Sequence, residues 1–319
     1  MTAAIHPETV LRPDEITRVS APDLTRDLDL LDDEVAKLLD FTREVKRAPG
    51  RYGQALTGKS LAVLFEKPSL RTRMTFELAI QQLGGSVVTG EGPIGGREPL
   101  KDVARNLDRW VNGIVARTFR QDTIEELARW SSVPVINALS DRFHPCQALA
   151  DVFTLTERFG ALRGLKLAFV GDGNNVANSL MLTATRMGVD FSMATPRGYE
   201  AHPDIVESAR AVAAVSGAKL TFTNDPGAAV AGVNAVYTDV WASMGQEAES
   251  EKRRRDFAGF QVDEKLFSLA LPDAIFLHCL PAKRGEEVTD AVIECPRSAV
   301  FDQAENRLHA QKALLLMML

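Results

Sequence analysis

The sequence predicts an α/β protein of two domains, each a parallel sheet flanked by helices. Three observations carry this. Short apolar runs of strand length alternate with helix-length segments along the chain. The 319 residues leave room for two domains of about 150. Hydrophobic side chains make up 45% and charged ones 25%, the composition of a chain that buries a sizeable core without staples.

In chain order, residues 1–24 mix acids and bases (Glu8, Arg12, Asp14, Glu15, Arg18) without an apolar stretch and read as a loosely ordered extension. Leu31, Val35, Leu38, Leu39 and Val45 mark one helix face. Strand-like runs follow at Ser60–Phe65, Gly113–Arg117, 134–137, Lys166–Val170, 191–194, Leu220–Thr223, Ala235–Thr238 and 274–278. Pro145 suits the first position of a helix running to about Phe159. The expected division is a first domain of 25–150, a second of 151–304, and a last helix, 305–319, packing back on the first. Residues 90–96 are a mobile-loop candidate, and 242–255 is too charged for a core.

Net charge is −6, but residues 1–50 hold 7 basic and 11 acidic side chains, leaving 30 against 32 elsewhere. That near-neutral body argues against a nucleic-acid or anionic-membrane surface, so any anion site is local. No stretch reaches the roughly 18 apolar residues of a membrane span. Three cysteines (Cys146, Cys279, Cys295) make no disulfide framework and point to a reducing, cytoplasmic setting. No metal or organic cofactor is expected, because no histidine or cysteine spacing suits one.

Two glycine motifs imitate nucleotide sites. Residues 53–60 fit the phosphate-loop pattern, but follow a helix and lead into a strand, the reverse of the context in which that loop works. They read as a polar turn. Gly171-Asp-Gly173 follows a strand, yet Val176 takes the place of the third glycine and the next strand ends at Ala194-Thr195 with no acid for a ribose. A nicotinamide cofactor is not expected there.

The stronger anion site is Ser69-Leu70-Arg71-Thr72-Arg73, where a strand ends and a helix begins. First-turn amides and the positive helix end face whatever binds, and Ser69, Thr72 and Arg73 share one face. The bland alternative is a helix capped by Ser69 with solvated arginines.

This stretch resembles the phosphate motif of the aspartate/ornithine carbamoyltransferase family. Val115-Ala-Arg117-Thr118, His144-Pro-Cys-Gln147-Ala-Leu-Ala-Asp151, Asp239-Val-Trp-Ala-Ser243-Met244-Gly245 and His278-Cys279-Leu280-Pro281 resemble the same family in order, the last two its ornithine-using members. The resemblance spans about residues 25–319. It implies an N-terminal carbamoyl-phosphate domain, a C-terminal ornithine domain, a homotrimer or assembly of trimers with sites at subunit interfaces, and a place in arginine metabolism.

By that resemblance Ser69, Arg71, Thr72 and the amide of Leu70 hold the phosphate. Arg117, His144 and Gln147 grip the carbamoyl group, and Arg307 supports the transition state. Asn175, Asp239, Ser243, Met244, Cys279 and Leu280 form the ornithine side, with Asp239 countering the α-ammonium and Cys279 helping to deprotonate the attacking amine. Residues 241–259 are expected to close over it. Each assignment has a plain competitor: a helix cap for His144, a surface arginine for Arg117, a small buried residue for Cys279, a solvated helix residue for Arg307. Two features depart from the family. Leu70 stands where threonine is usual, as in relatives that use N-acetylornithine or putrescine, and 84–99 is short, with Pro93 near where a neighbouring subunit normally offers a polar side chain. A nucleotide hydrolase using 53–60 and a catalytically silent trimer remain as other classes.

Overall fold

Each sheet begins beyond a helix that orients the chain. In the computed structural model, which describes residues 16–242 and 247–319, α1 (Asp32–Arg47) buries Val35, Leu38, Leu39 and Val45. Glu34 in its first turn accepts the amides of Leu31 at 2.8 Å and Ser20 at 2.5 Å. This carboxylate caps the helix and ties down the incoming chain.

The first sheet follows as β1 (Ser60–Phe65), α2 (Arg71–Gln82), β2 (Ser86–Glu91), α3 (Leu100–Leu107), β3 (Gly113–Arg117), α4 (Gln121–Trp130) and β4 (Val135–Leu139). Its order is β2-β1-β3-β4 and every pairing is parallel, with Phe65 beside Arg117 at the strand ends. Residues 53–58 are turns leading into β1, as their context implied. The open edge of β4 is covered: Leu24 donates to Val135 O at 2.9 Å and accepts from Asn137 N at 2.8 Å, while Val19 N reaches Met317 O at 3.1 Å. Residues 19 and 24 are therefore tied down, and a sheet edge is closed.

The second sheet is built from α5 (Pro145–Phe159), β5 (Lys166–Val170), α6 (Asn175–Arg186), β6 (Asp190–Ala194), α7 (Pro203–Ser216), β7 (Leu220–Thr223), α8 (Pro226–Val230), β8 (Ala235–Thr238), α9 (Ser250–Asp256), α10 (Glu264–Phe267), β9 (Ile275–His278) and α11 (Asp290–Ile293), before the long α12 (Val300–Met318). The order is β7-β6-β5-β8-β9, again all parallel. Its core gathers Val170, Val236, Trp241, Phe257, Val262 and Phe276.

The two sheets belong to two compact units, one of the described residues up to Asp141 with Arg307–Leu319, the other of Arg142–Asn306. The expected boundary after residue 150 falls inside α5, which lies whole in the second unit, and α12 begins five residues before the expected 305. Among the described residues, no helix is long and apolar enough to cross a membrane. The order of each sheet reverses between β1 and β3 and between β5 and β8, and such reversals open a crevice at the carboxyl ends of the strands.

Candidate active site

In the first unit the reversal brings the segment after β1 beside the end of β3. α2 starts at Arg71, with Leu70 at its capping position and no side-chain cap, so Ser69 does not play the capping role. The amides of that first turn have no intrahelical acceptors and face the strand ends. Thr72 and Arg117 are buried, so Arg117 is no surface arginine. Arg307 is buried too, and its Nη2 donates to Thr72 Oγ1, which removes the solvated alternative for it. Arg73 differs from expectation: its Nε donates to Glu77 at 2.7 Å and its Nη1 to Glu91, so its charge is already answered by two carboxylates. Leu70 is 69% exposed.

Glu66, which follows β1, accepts Ile94 N at 3.0 Å and Phe119 N at 2.8 Å, fixing two neighbouring loops with one carboxylate. The sequence marked 90–96 as a mobile loop, yet Gly90 and Glu91 belong to strand β2 and Ile94 is held by this bond.

In the second unit, three strand ends converge. Asp239, after β8, lies between Cys279, after β9, whose Sγ donates to Oδ1 at 3.1 Å, and Asn174, after β5, whose Nδ2 donates to Oδ2 at 2.9 Å. Asn174 also caps α6 through Oδ1, accepting from Val176 N at 3.0 Å and Ala177 N at 3.1 Å. The expected Asn175 is the next residue, with its Oδ1 at 3.0 Å from Val176 N. Asn174, which the sequence does not single out, contacts Asp239 directly; only its position before a helix marks it.

The turn bearing Cys279 is anchored on both sides. Leu280 has a φ of 57°, a left-handed conformation uncommon for leucine, and its amide donates to His278 Nδ1 at 2.9 Å. His278 Nε2 in turn meets Glu287 at 3.1 Å, both residues being fully enclosed. His144 opens α5 without a side-chain cap, contrary to the capping alternative, and its backbone amide donates to Ser179 Oγ at 2.8 Å. Gln147 donates from Nε2 to Asp151 at 2.8 Å.

Within the charged segment after β8, Arg253 is buried rather than solvated. It donates to Asp172 Oδ2 at 2.8 Å and Trp241 O at 2.9 Å. Burial raises the Asp172 carboxyl above its usual range; Arg253 opposes this and the nearby Asp239 adds to it. Trp241 and Phe257 are core residues with rings 5.8 Å apart, so 241–259 is not a lid along its whole length. Ser243 and Met244 lie outside the described residues. Gly173 has a packing reason: a Cβ there would sit 2.3 Å from Ala201 N, so the dinucleotide-like glycine serves chain packing.

Asp239, His278 and Cys279 place a carboxylate oxygen, a ring nitrogen and a sulfur within 4.8 Å of one another, a grouping that could take a metal ion. Both ring nitrogens of His278 are already engaged, so ligation there would break one of those bonds.

The likeness to known proteins runs the length of the chain. Residues 23–157 match the family model described as the carbamoyl-P binding domain of aspartate/ornithine carbamoyltransferase, and residues 163–318 match its Asp/Orn binding domain. An ornithine carbamoyltransferase of Thermus thermophilus is 54% identical over 305 residues, covering 93% of this chain and 98% of the relative. One of Thermococcus kodakarensis is 50% identical over 302 residues, covering 90% and 96%. The solved ornithine carbamoyltransferase of Pyrococcus furiosus superposes with a TM-score of 0.92 at 47% identity, covering 95% of this chain and 99% of that one.

Proposed function

The chain belongs to the aspartate/ornithine carbamoyltransferase family, and from that premise we propose that it transfers the carbamoyl group of carbamoyl phosphate to the δ-amine of L-ornithine, giving L-citrulline and phosphate. The observation that carries the choice of amine is the Asp239–Cys279 contact of 3.1 Å. It sets a carboxylate suited to an α-ammonium beside a thiol suited to the proton of the attacking nitrogen.

An alkyl amine titrating near 10.4 costs about 4–5 kcal/mol to deprotonate at pH 7. Cys279 takes up that proton as a thiolate, its own proton having gone to solvent; it then returns to the thiol that donates to Asp239, which stays a carboxylate throughout. Attack on the carbonyl carbon builds negative charge on its oxygen, which Arg117 and His144 meet with donors fixed in advance. The departing phosphate stays on the first-turn amides of α2, with Ser69, Leu70 N–H, Arg71, Thr72 and Arg307 around it. Asn175, Ser243, Met244 and Leu280 complete the amine side. In this reading the chemistry needs no cofactor.

We place the enzyme in arginine metabolism in the cytoplasm, a setting supported by its three free cysteines. Assembly as a homotrimer, or as trimers of higher order, is supported by exposed apolar side chains at Leu70, Met74 and Leu78 on one face of α2, with exposed Val88 on the edge strand β2. Light scattering checks this: a trimer mass that falls on Met74→Glu supports the face, and an unchanged assembly removes it.

The reaction is tested by ureido product formation from carbamoyl phosphate with L-ornithine, N-acetyl-L-ornithine, putrescine and L-aspartate in parallel. Product from ornithine alone is expected. Product from another amine would overturn the Asp239 assignment, and none at all would favour a silent binding protein.

A further inference from the structure

Inside the second unit, Gln147 belongs to a buried network whose other members hold no assigned role. Asp151, on α5, is fully buried. Its Oδ1 accepts Nε2 of Gln147 at 2.8 Å and Nε2 of Gln303, on α12, at 2.6 Å. Gln303 Nε2 also reaches the hydroxyl of Tyr237, on β8, at 3.2 Å, while Gln303 Oε1 accepts the backbone amide of His278 at 2.9 Å. Burial first, and then the Asp151 charge, raise the Tyr237 phenol well above its ordinary range, so it keeps its proton and donates it to Asp151. One carboxylate thus links Gln147 to the residue that precedes Cys279.

The chemistry of that hub fixes a choice the sequence leaves open. A carboxylate only accepts, so the amide end of Gln147 facing it must be the –NH₂; the reverse orientation would set two oxygens together in a buried, low-dielectric site. The remaining end, Oε1, is buried and has no hydrogen-bond partner among the described residues. It can accept an N–H and cannot donate.

We propose that Asp151 is a positioning residue that sets the polarity of Gln147, so that the site selects an acyl phosphate bearing an amino group over one bearing a methyl group in the same place. The inference rests on the carbamoyl-transfer reading, in which Gln147 touches the carbamoyl group. A site built around a buried hydrogen-bonding group rejects the analogue that leaves it unpaired far more strongly than an apolar pocket rejects a change of shape. Gln303 carries the same order to the other substrate by holding His278 N, and with it the Cys279 turn.

The test uses the whole enzyme and two ligands: carbamoyl phosphate as substrate and acetyl phosphate as competitive inhibitor. Asp151→Leu keeps the volume but offers no acceptor, so it no longer dictates which end of Gln147 faces it. The preference for carbamoyl over acetyl phosphate should fall about tenfold, and further in Asp151→Ala, with the inhibition constant of inorganic phosphate within twofold of wild type. Gln303→Met should spare that preference and raise the KM for ornithine. An Asp151→Leu enzyme with the wild-type preference overturns the proposal, and so does one that weakens carbamoyl phosphate, acetyl phosphate and phosphate in parallel, which marks a structural role. Should Asp151→Ala fail to fold, Asp151→Leu decides alone. A wild-type enzyme that forms no ureido product overturns the underlying reading instead, so the two failures are distinct.

Discussion

The phosphate side and the amine side solve the same problem differently. In the first unit the proposed phosphate-binding groups lie within one short stretch, Ser69 to Thr72, placed by a strand end and a helix start, and joined by Arg117 and Arg307. In the second unit each proposed working group depends on other side chains: Cys279 on Asp239, Asp239 on Asn174, Gln147 on Asp151 one turn along the same helix, and Asp151 on Gln303. A helix start supplies its donors as backbone, which cannot be mislaid; a buried carboxylate must be answered by side chains drawn from several elements. The first arrangement separates function from stability, and the second couples them.

The largest expected effect tests the separable side. Arg117→Met removes a charge-assisted donor to the developing oxyanion and should cost about 10²–10³-fold in kcat, while the melting temperature moves little, since the methionine keeps the buried stem. A variant that melts far lower without such a loss would break the contrast.

On the coupled side, Arg253→Met leaves Asp172 buried without this partner. We expect a loss of about 3 kcal/mol in stability together with a raised KM for ornithine, because Trp241 O loses its donor as well. The sign with pH is set by the direction of the shift. The carboxyl, already raised in the folded state, rises further, so the deficit is full above its folded pKa and shrinks as pH falls through it. Urea unfolding of both proteins across that range measures it.

A smaller effect separates stability from the site altogether. Lys312, on α12, is buried and its ammonium is pushed below the usual lysine range by desolvation alone. Its depressed pKa disfavours folding below the folded value and the cost fades as pH rises toward 10.5. Lys312→Met should raise the melting temperature by a few degrees at pH 7, less at pH 10, with kinetics unchanged. Smallest of all, Leu70→Thr should alter the KM for carbamoyl phosphate less than about threefold, since the backbone amide at 70 is kept.

What could be read from the sequence follows the same division. Apolar runs such as Ser60–Phe65 and Gly113–Arg117 announced their strands because parallel strands are buried on both faces. The motif at Ser69–Thr72 was legible because its parts are neighbours in sequence. Strand β2 escaped because it is an exposed edge, with no apolar alternation to betray it. Arg253 escaped inside a run of charges that a solvated helix would also carry. Asp151 and Gln303 stand 152 residues apart, and their meeting depends on how α5 and α12 pack within the second unit, which no local pattern encodes. The sequence places the start of the last helix at 305 rather than 300, because residues 300–305 are less apolar than its end.

The most direct measurement takes Asp239→Asn and determines two constants in one titration series, the KM for L-ornithine and the inhibition constant of inorganic phosphate. A division of the phosphate and the amine between the two units predicts that the first rises at least about tenfold while the second stays within twofold of wild type. If both constants rise together, Asp239 supports the whole site rather than the amine, and phosphate and amine are not divided between the units.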